Sequence, residues 1–372
     1  MNSNKSGHFR LADRPADYQR LGVDPAAIAQ FEDGQRIGTE KGRYEWWYFD
    51  AHLDDGATVV VVFYTKPNVS PNGPLAPRIT ISITLADGRS FEKLLDTGPE
   101  LFSASKSGCD VRIGTNRFVG DLHRYQITAS IEEVSVDIEL TGDVPAWRPK
   151  SGHLYFGVEG QEKLQEKLFA WLPSVPHGLA SVFYRIGDEE HRSAGSGYHD
   201  HNWGDVPMQT LMHNWYWARA SVGPYTIIAS SITATARYGY ETQIVYMLAK
   251  DGKIIADDGS KVSFESARVT SDGKTGKPVA DVTRYTYQDA DTRYVASFER
   301  ETTILQAMLT ERAPLLKRIA ARLIGFDGAY HRFTGKVTIE KFEGGERVER
   351  FEDRAIWELM YFGRARPQGE AA

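Results

Sequence analysis

The chain has 372 residues, 41% hydrophobic and 25% charged, with 44 basic and 50 acidic side chains and a formal net charge of -6. These are globular values that exclude a disordered chain, and no segment concentrates enough Lys and Arg to follow a phosphate backbone, so nucleic acid is excluded as a partner. The single cysteine, Cys109, excludes disulfide scaffolds, zinc ribbons and iron-sulfur clusters.

At about 150 residues per domain, the length suggests two domains. Met1 to Arg20 is polar and lacks the apolar stretch of about 7 to 15 residues that a secretory signal requires, so a cytoplasmic location is expected. Residues 1–35 read as a polar N-terminal extension. Tyr44-Glu-Trp-Trp-Tyr-Phe-Asp50 then opens the patterned chain. On a strand, Glu45, Trp47 and Phe49 face one way and Trp46, Tyr48 and Asp50 the other, so each face carries a carboxylate beside two rings. Rings desolvate a carboxyl and raise its pKa; the alternative is a carboxylate bonded to backbone or to Arg43. The apolar run Val59 to Tyr64 falls far short of the roughly 20 residues that span a bilayer, so no transmembrane segment is predicted.

Asp87-Gly88 separates the apolar stretches Ile79–Leu85 and Phe91–Leu95, a hairpin signal because Gly tolerates positive φ. Val134, Val136, Ile138 and Leu140 alternate with Ser135, Asp137 and Glu139, the pattern of a half-buried antiparallel strand. Asp251-Gly252 and Gly344-Gly345 mark two further hairpins, so the bulk of the chain reads as antiparallel β in sandwiches or barrels. One segment departs: Leu309, Ala313, Leu316, Ala320 and Leu323 recur at helical spacing, with Arg312, Lys317, Arg318 and Arg322 on the remaining faces. That amphipathic helix, Leu309 to Ile324, either closes the end of a barrel or rests its basic face weakly on an anionic membrane.

The densest chemistry lies in Gly195-Ser-Gly-Tyr-His-Asp-His-Asn-Trp-Gly204. If extended, His199, His201 and Trp203 share one face and Asp200 and Asn202 the other. Three readings fit: a metal site using the His-x-His pair, side chains bonding buried turn backbone, or an acid/base site in an aromatic pocket. His213-Asn-Trp-Tyr-Trp-Ala-Arg219 repeats the pattern, with Trp215 and Trp217 on one face. No P-loop, dinucleotide-binding glycine fingerprint, nucleophile-elbow serine or His-Glu-x-x-His is present, which leaves cofactor-free catalysis or simple binding.

Glu45-Trp-Trp-Tyr, Phe169-Ala-Trp, Val175-Pro-His177, Gly197-Tyr-His-Asp-His-Asn-Trp-Gly204 and Trp215-Tyr-Trp217 together carry a resemblance. The chain resembles the carotenoid 1,2-hydratase and AttH-like proteins, a group similar to kievitone hydratase and to fungal intramolecular Diels–Alderases, over roughly Gly42 to Gly363. The resemblance implies two tandem lipocalin-like β-domains, expected here as 36–206 and 207–365 with a tail at 366–372, and a hydrophobic pocket at or near their junction. It also implies that His201 and Trp203 take part in catalysis. A later Tyr-x-Asp pair of the hydratase branch would fall near Ala229-Ser-Ser231, which offers neither a phenol nor a carboxylate.

The expectation is therefore an all-β, cofactor-independent lyase or isomerase: a hydratase, dehydratase or cyclase acting on an isoprenoid- or polyketide-like molecule. The alternative is a non-catalytic carrier of a lipid or pigment. His201 is the expected proton-transfer group, oriented by Asp200 or Asn202, with His199 and Asp50 as further candidates. Trp203, Trp46, Trp47, Tyr198, Asn202, Trp215 and Trp217 are expected to line the pocket, and no metal is assigned.

Overall fold

The computed structural model describes residues 7–68, 71–158, 166–311 and 326–365. The chain forms two compact units: the first comprises residues 11–155 and 167–208, the second 1–10, 156–166 and 209–372. Both are built of antiparallel sheet, as the alternating patterns and the glycine turns require. The expected helix from Leu309 to Ile324 falls, beyond Glu311, outside the described residues. No described helix is long and apolar enough to cross a membrane.

The first thirteen strands are β1 (Gly7–Leu11), β2 (Tyr44–Leu53), β3 (Thr58–Tyr64), β4 (Arg78–Thr84), β5 (Ser90–Asp96), β6 (Phe102–Ala104), β7 (Cys109–Ile113), β8 (Asn116–Gly120), β9 (Arg124–Ile131), β10 (Val134–Gly142), β11 (His153–Val158), β12 (Lys167–Ile186) and β13 (Glu189–Gly204). Their main path runs β5-β4-β3-β2-β13-β12-β10-β9-β8-β7-β6. Strands far apart in that order share one core: Ile79 and Ile81 of β4 cluster with Val111 and Ile113 of β7, and the Phe63 ring of β3 lies 5.8 Å from Phe118 of β8. The sheet therefore curls around a single apolar interior. Each Ile buried there stabilises the fold by about 1.5–3 kcal/mol relative to an exposed one.

The second unit carries β14 (Met212–Val222), β15 (Tyr225–Ala234), β16 (Thr242–Lys250), β17 (Lys253–Ala256), β18 (Val262–Ser271), β19 (Pro278–Asp289), β20 (Thr292–Met308), β21 (Ala329–Glu343) and β22 (Glu346–Tyr361), in the order β17-β16-β15-β14-β22-β21-β20-β19-β18. Its core is rich in phenols, with Tyr216, Tyr246, Tyr285 and Tyr287 packed beside Phe298 and Trp357.

The glycine hairpins stand where the sequence places them. Gly88 joins β4 to β5 at φ 87°, Asp251-Gly252 joins β16 to β17 at φ 50° and 75°, and Gly344-Gly345 joins β21 to β22 at φ 57° and 90°. Two successive residues at positive φ give a turn whose twist matches that of the strands it joins.

Residues 7–35, which read from sequence as a polar extension, are built into the fold. They supply β1, which pairs with β11, a short helix at Pro15–Leu21 and a 3-10 turn at Gln30–Asp33. Within the first unit, the buried Arg148 guanidinium holds the stretch before β2, donating to Glu32 Oε2 at 2.7 Å and to the carbonyls of Asp24 and Ala27. The Trp47 indole N–H donates to the Asp33 carbonyl at 3.0 Å. This docking delivers the Asp33 side chain to the interior of the sheet.

Candidate active site

The site is organised by β13, which lies between β12 and β2 in the sheet of the first unit. Trp171, Asn202, Trp46 and Tyr64 lie in one cross-strand row, and Pro173, Asp200, Tyr48 and Val62 in the next. Between them, on the opposite face, runs Leu172, His201, Trp47 and Phe63. Because side chains alternate along a strand, the registers fix two separate chemical surfaces.

The inner surface holds an ionic cluster. His201 Nε2 lies 3.0 Å from Glu45 Oε1, and its ring stacks on Trp47 with centroids 4.5 Å apart. His199 Nδ1 lies 2.8 Å from the Tyr48 carbonyl and its Nε2 3.2 Å from Asp33 Oδ2, while Tyr125 donates its hydroxyl to the same carboxylate at 2.5 Å. Glu45 Oε1 also accepts the backbone N–H of Arg36. Both imidazoles are wholly buried. Burial alone would raise the Asp33 carboxyl, but the charge and hydrogen bond of His199, helped by His201 and Tyr125, outweigh it and hold Asp33 below the usual carboxylate range. Glu45 goes the other way, pushed up by burial against the opposing pull of His201. Cys109 lies beside Asp33, its thiol pushed well up by burial and by that carboxylate.

This geometry corrects the expected orientation of His201. Asp200 and Asn202 point away from its ring on the opposite face, and its partners are Glu45 and Asp33. Trp203 and Trp47 flank His201 on the inner face rather than lining an aromatic pocket with Trp46.

The outer surface is aromatic and carries Asp200 at its centre. Asp200 Oδ2 accepts from the Trp171 indole N–H and the Tyr198 hydroxyl, each at 2.8 Å, and Oδ1 accepts from the Asn202 amide at 2.7 Å. Asp200 is only 8% exposed and, among the described residues, forms no salt bridge. Burial raises its pKa to about 6, with Tyr198, Trp171, the charge of His199 and Asn202 acting against that rise. Tyr48 donates to Asp50 Oδ2 at 3.0 Å and meets the Tyr198 ring edge-on at 6.2 Å. Trp46 lies beside Phe169 and Tyr64, with ring centroids 6.0 and 6.5 Å apart. Chemically, the outer surface offers a carboxyl that is protonated just below neutrality, phenols that donate, and rings that accept developing positive charge.

Trp215 and Trp217 belong to the second unit, on the face of β14 opposite its core, and Trp215 Nε1 donates to Glu358 Oε1 at 3.3 Å. Sequence reasoning had no route to Asp33 and Tyr125, which sit in unremarkable surroundings. Tyr48 and Trp171, by contrast, lie in motifs already quoted, and only their roles went unassigned.

Two antiparallel sheets, the first curled around a buried His-carboxylate anchor with an acidic aromatic surface on its other face, define an all-β protein of the lipocalin-like type. Residues 37–304 match the Diels-Alderase-like family, and the chain belongs to it. It is similar to the hydroxyneurosporene dehydrogenase of Chlorobaculum tepidum, 29% identical over 212 residues, a match spanning 48% of this chain and about half (53%) of that protein. It is similar at 23% identity over 350 residues to the quinolone epoxide rearrangement protein asqO of Emericella nidulans, with 86% of this chain and 84% of that one covered. Among solved structures, CghA superposes with a TM-score of 0.59 at 14% identity over 99% of this chain and all (100%) of that one. Kievitone hydratase from Nectria haematococca gives 0.52 at 10% identity, covering 91% and 94%. At such identities the structures show a shared fold, in agreement with the resemblance carried by the Tyr198–Gly204 stretch.

Proposed function

We propose that this chain is a lyase or isomerase working without a cofactor, a hydratase, dehydratase or cyclase for a hydrophobic isoprenoid- or polyketide-like molecule, with Asp200 as its acid. The observation that carries this reading is the Asp200 carboxyl, poised near pKa 6 by burial amid Trp171, Tyr198 and Tyr48. Protonated Asp200 gives its proton to an alkene carbon, an epoxide oxygen or a carbonyl, and the rings around it stabilise the cation that forms. Water addition or ring closure then follows, and the proton lost from the product restores Asp200. The names of the relatives, an epoxide rearrangement protein and a hydratase among them, support this class of reaction. His201, His199 and Trp203 act in this scheme as positioning residues that hold β13 so that Asp200 faces outward, and Asp50 holds the Tyr48 hydroxyl.

The test begins with native mass spectrometry of freshly purified protein, followed by organic extraction and identification of what is bound. That ligand, with its chemical precursors, is incubated with wild type and Asp200→Asn. Conversion by wild type to an isomer, or to a product heavier or lighter by one water, that fails in the variant supports the reading. Equal conversion by both removes Asp200 as the acid, and a ligand that both release unchanged makes the chain a carrier.

A further inference from the structure

Among the described residues, Asp33, Cys109 and His199 are the group whose side chains could jointly hold a metal ion, with donor atoms within 4.8 Å of one another and all three residues buried. They come from the 3-10 turn before β2, from β7 and from β13, so strands separated by four others in the sheet order meet there. The hydrogen bonds around them resemble the outer shell of a metal site. His199 Nδ1 faces the Tyr48 carbonyl, which can only accept, so that nitrogen carries the proton. Nε2 is then the nitrogen turned toward Asp33 Oδ2, 3.2 Å away, and that contact is bridged by a proton on Nε2 or, in its place, by a metal ion. His201 repeats the arrangement: Nε2 is held by the Glu45 carboxylate, while Nδ1 lies 3.5 Å from Asp33 Oδ1, and neither of these last two buried atoms makes a hydrogen bond. A histidine that donates one ring nitrogen to a carbonyl or carboxylate and aims the other at a shared point is oriented as metal-ligating histidines are.

We propose that Asp33, Cys109 and His199 form a closed structural site for one zinc-type divalent ion inside the sheet of the first unit, with His201, whose Nδ1 faces Asp33 Oδ1, turning in as the fourth ligand. A thiolate and a carboxylate among the ligands balance the charge of such an ion, which suits a site without solvent, and the thiolate and imidazoles match zinc in softness. On binding, the Cys109 thiol proton leaves to solvent and both histidines are neutral. Metal-ligand distances of about 2.0–2.3 Å put tetrahedral donors roughly 3.3–3.8 Å apart, so the Asp33, Cys109 and His199 donors close by about 1 Å around the ion and the His201 ring moves further to reach it. All four ligands are taken from the protein, which makes the ion a cross-link and separates it from the chemistry of Asp200 on the opposite face.

Because the interior is closed, the full-length chain is expressed in medium supplemented with zinc, and separately with cobalt, so that the metal is present while it folds. We expect one equivalent of metal after gel filtration, one sulfur scatterer at about 2.3 Å in zinc-edge X-ray absorption, and a thiolate-to-cobalt charge-transfer band. Cys109→Ser abolishes that band, Asp33→Asn lowers metal retention by about tenfold or more, and Asp200→Asn retains the full equivalent. Wild-type protein that folds with less than a tenth of an equivalent, or that binds metal without a sulfur neighbour, overturns the proposal whatever the variants do. The role of Asp200 stands or falls separately, on turnover.

Discussion

Along β13, the side chains that point inward, His199 and His201, meet the carboxylates of Asp33 and Glu45, whereas those that point outward, Tyr198, Asp200 and Asn202, meet one another and a surround of rings. Both surfaces bury ionisable groups, yet they accommodate them differently. Inside, opposite charges sit in contact, an arrangement that adds little net stability but is costly to break from one side. Outside, the carboxyl has neutral donors only, so its burial is expressed as a raised pKa. The first arrangement fixes a structure, and the second, on the proposed function, stores a transferable proton.

Substitutions on the two faces should therefore separate turnover from stability. Asp200→Asn should lower turnover of the identified substrate by about 100- to 10,000-fold, the range for loss of a general acid, and urea unfolding should show a native-like m value. A variant that keeps its turnover would erase the distinction between the faces. His201→Ala should cost about 3–5 kcal/mol of folding stability by denaturant titration, because Glu45 is left buried without its imidazole. Undiminished stability with lost turnover would instead make His201 the proton carrier.

The pH dependence of stability should have opposite signs on the two faces. Asp200 binds its proton more tightly folded than unfolded, so its contribution is lost as pH rises from about 4 to about 6, amounting to roughly 3 kcal/mol. Asp33 is shifted down, so its contribution is present above the ordinary carboxylate pKa and is lost as pH falls below it. Urea midpoints measured from pH 3 to pH 7 should show Asp200→Asn flattening the upper window and Asp33→Asn the lower one; the reverse assignment would refute the scheme. Turnover by the acid form should likewise be level below about pH 6 and fall above it. The smallest effect is expected from Tyr198→Phe, which removes a donor that lowers the Asp200 pKa. The alkaline limb of the kcat/KM profile should move to higher pH, with a loss of about 1 kcal/mol in stability.

The alternation of β13 and of Tyr44–Asp50 was legible from residue spacing, as were the turns at Gly88, Gly252 and Gly345, because strand faces and positive φ are local properties. Which carboxylate meets which histidine was not. Glu45 reaches His201 only because β2 pairs with β13 in the register that sets Trp47 opposite His201, a contact across more than 150 positions of chain. Asp33 was hidden more deeply, in a stretch whose polar composition resembles a solvated tail. Its burial depends on Arg148, far along the chain, neutralising Glu32 and capping the carbonyls around it. A lone cysteine likewise says nothing until β7 is seen to cross the interior beside that turn.

The strict alternation of β13 also constrains how such a chain can diverge. A single-residue insertion between Tyr198 and Trp203 would exchange the two faces, sending imidazoles outward and Asp200 into the ionic interior, so neither surface would survive. Replacements on the outer face leave the inner anchors untouched. Evolution can therefore revise the chemistry of this strand one side chain at a time, while its length changes only in pairs.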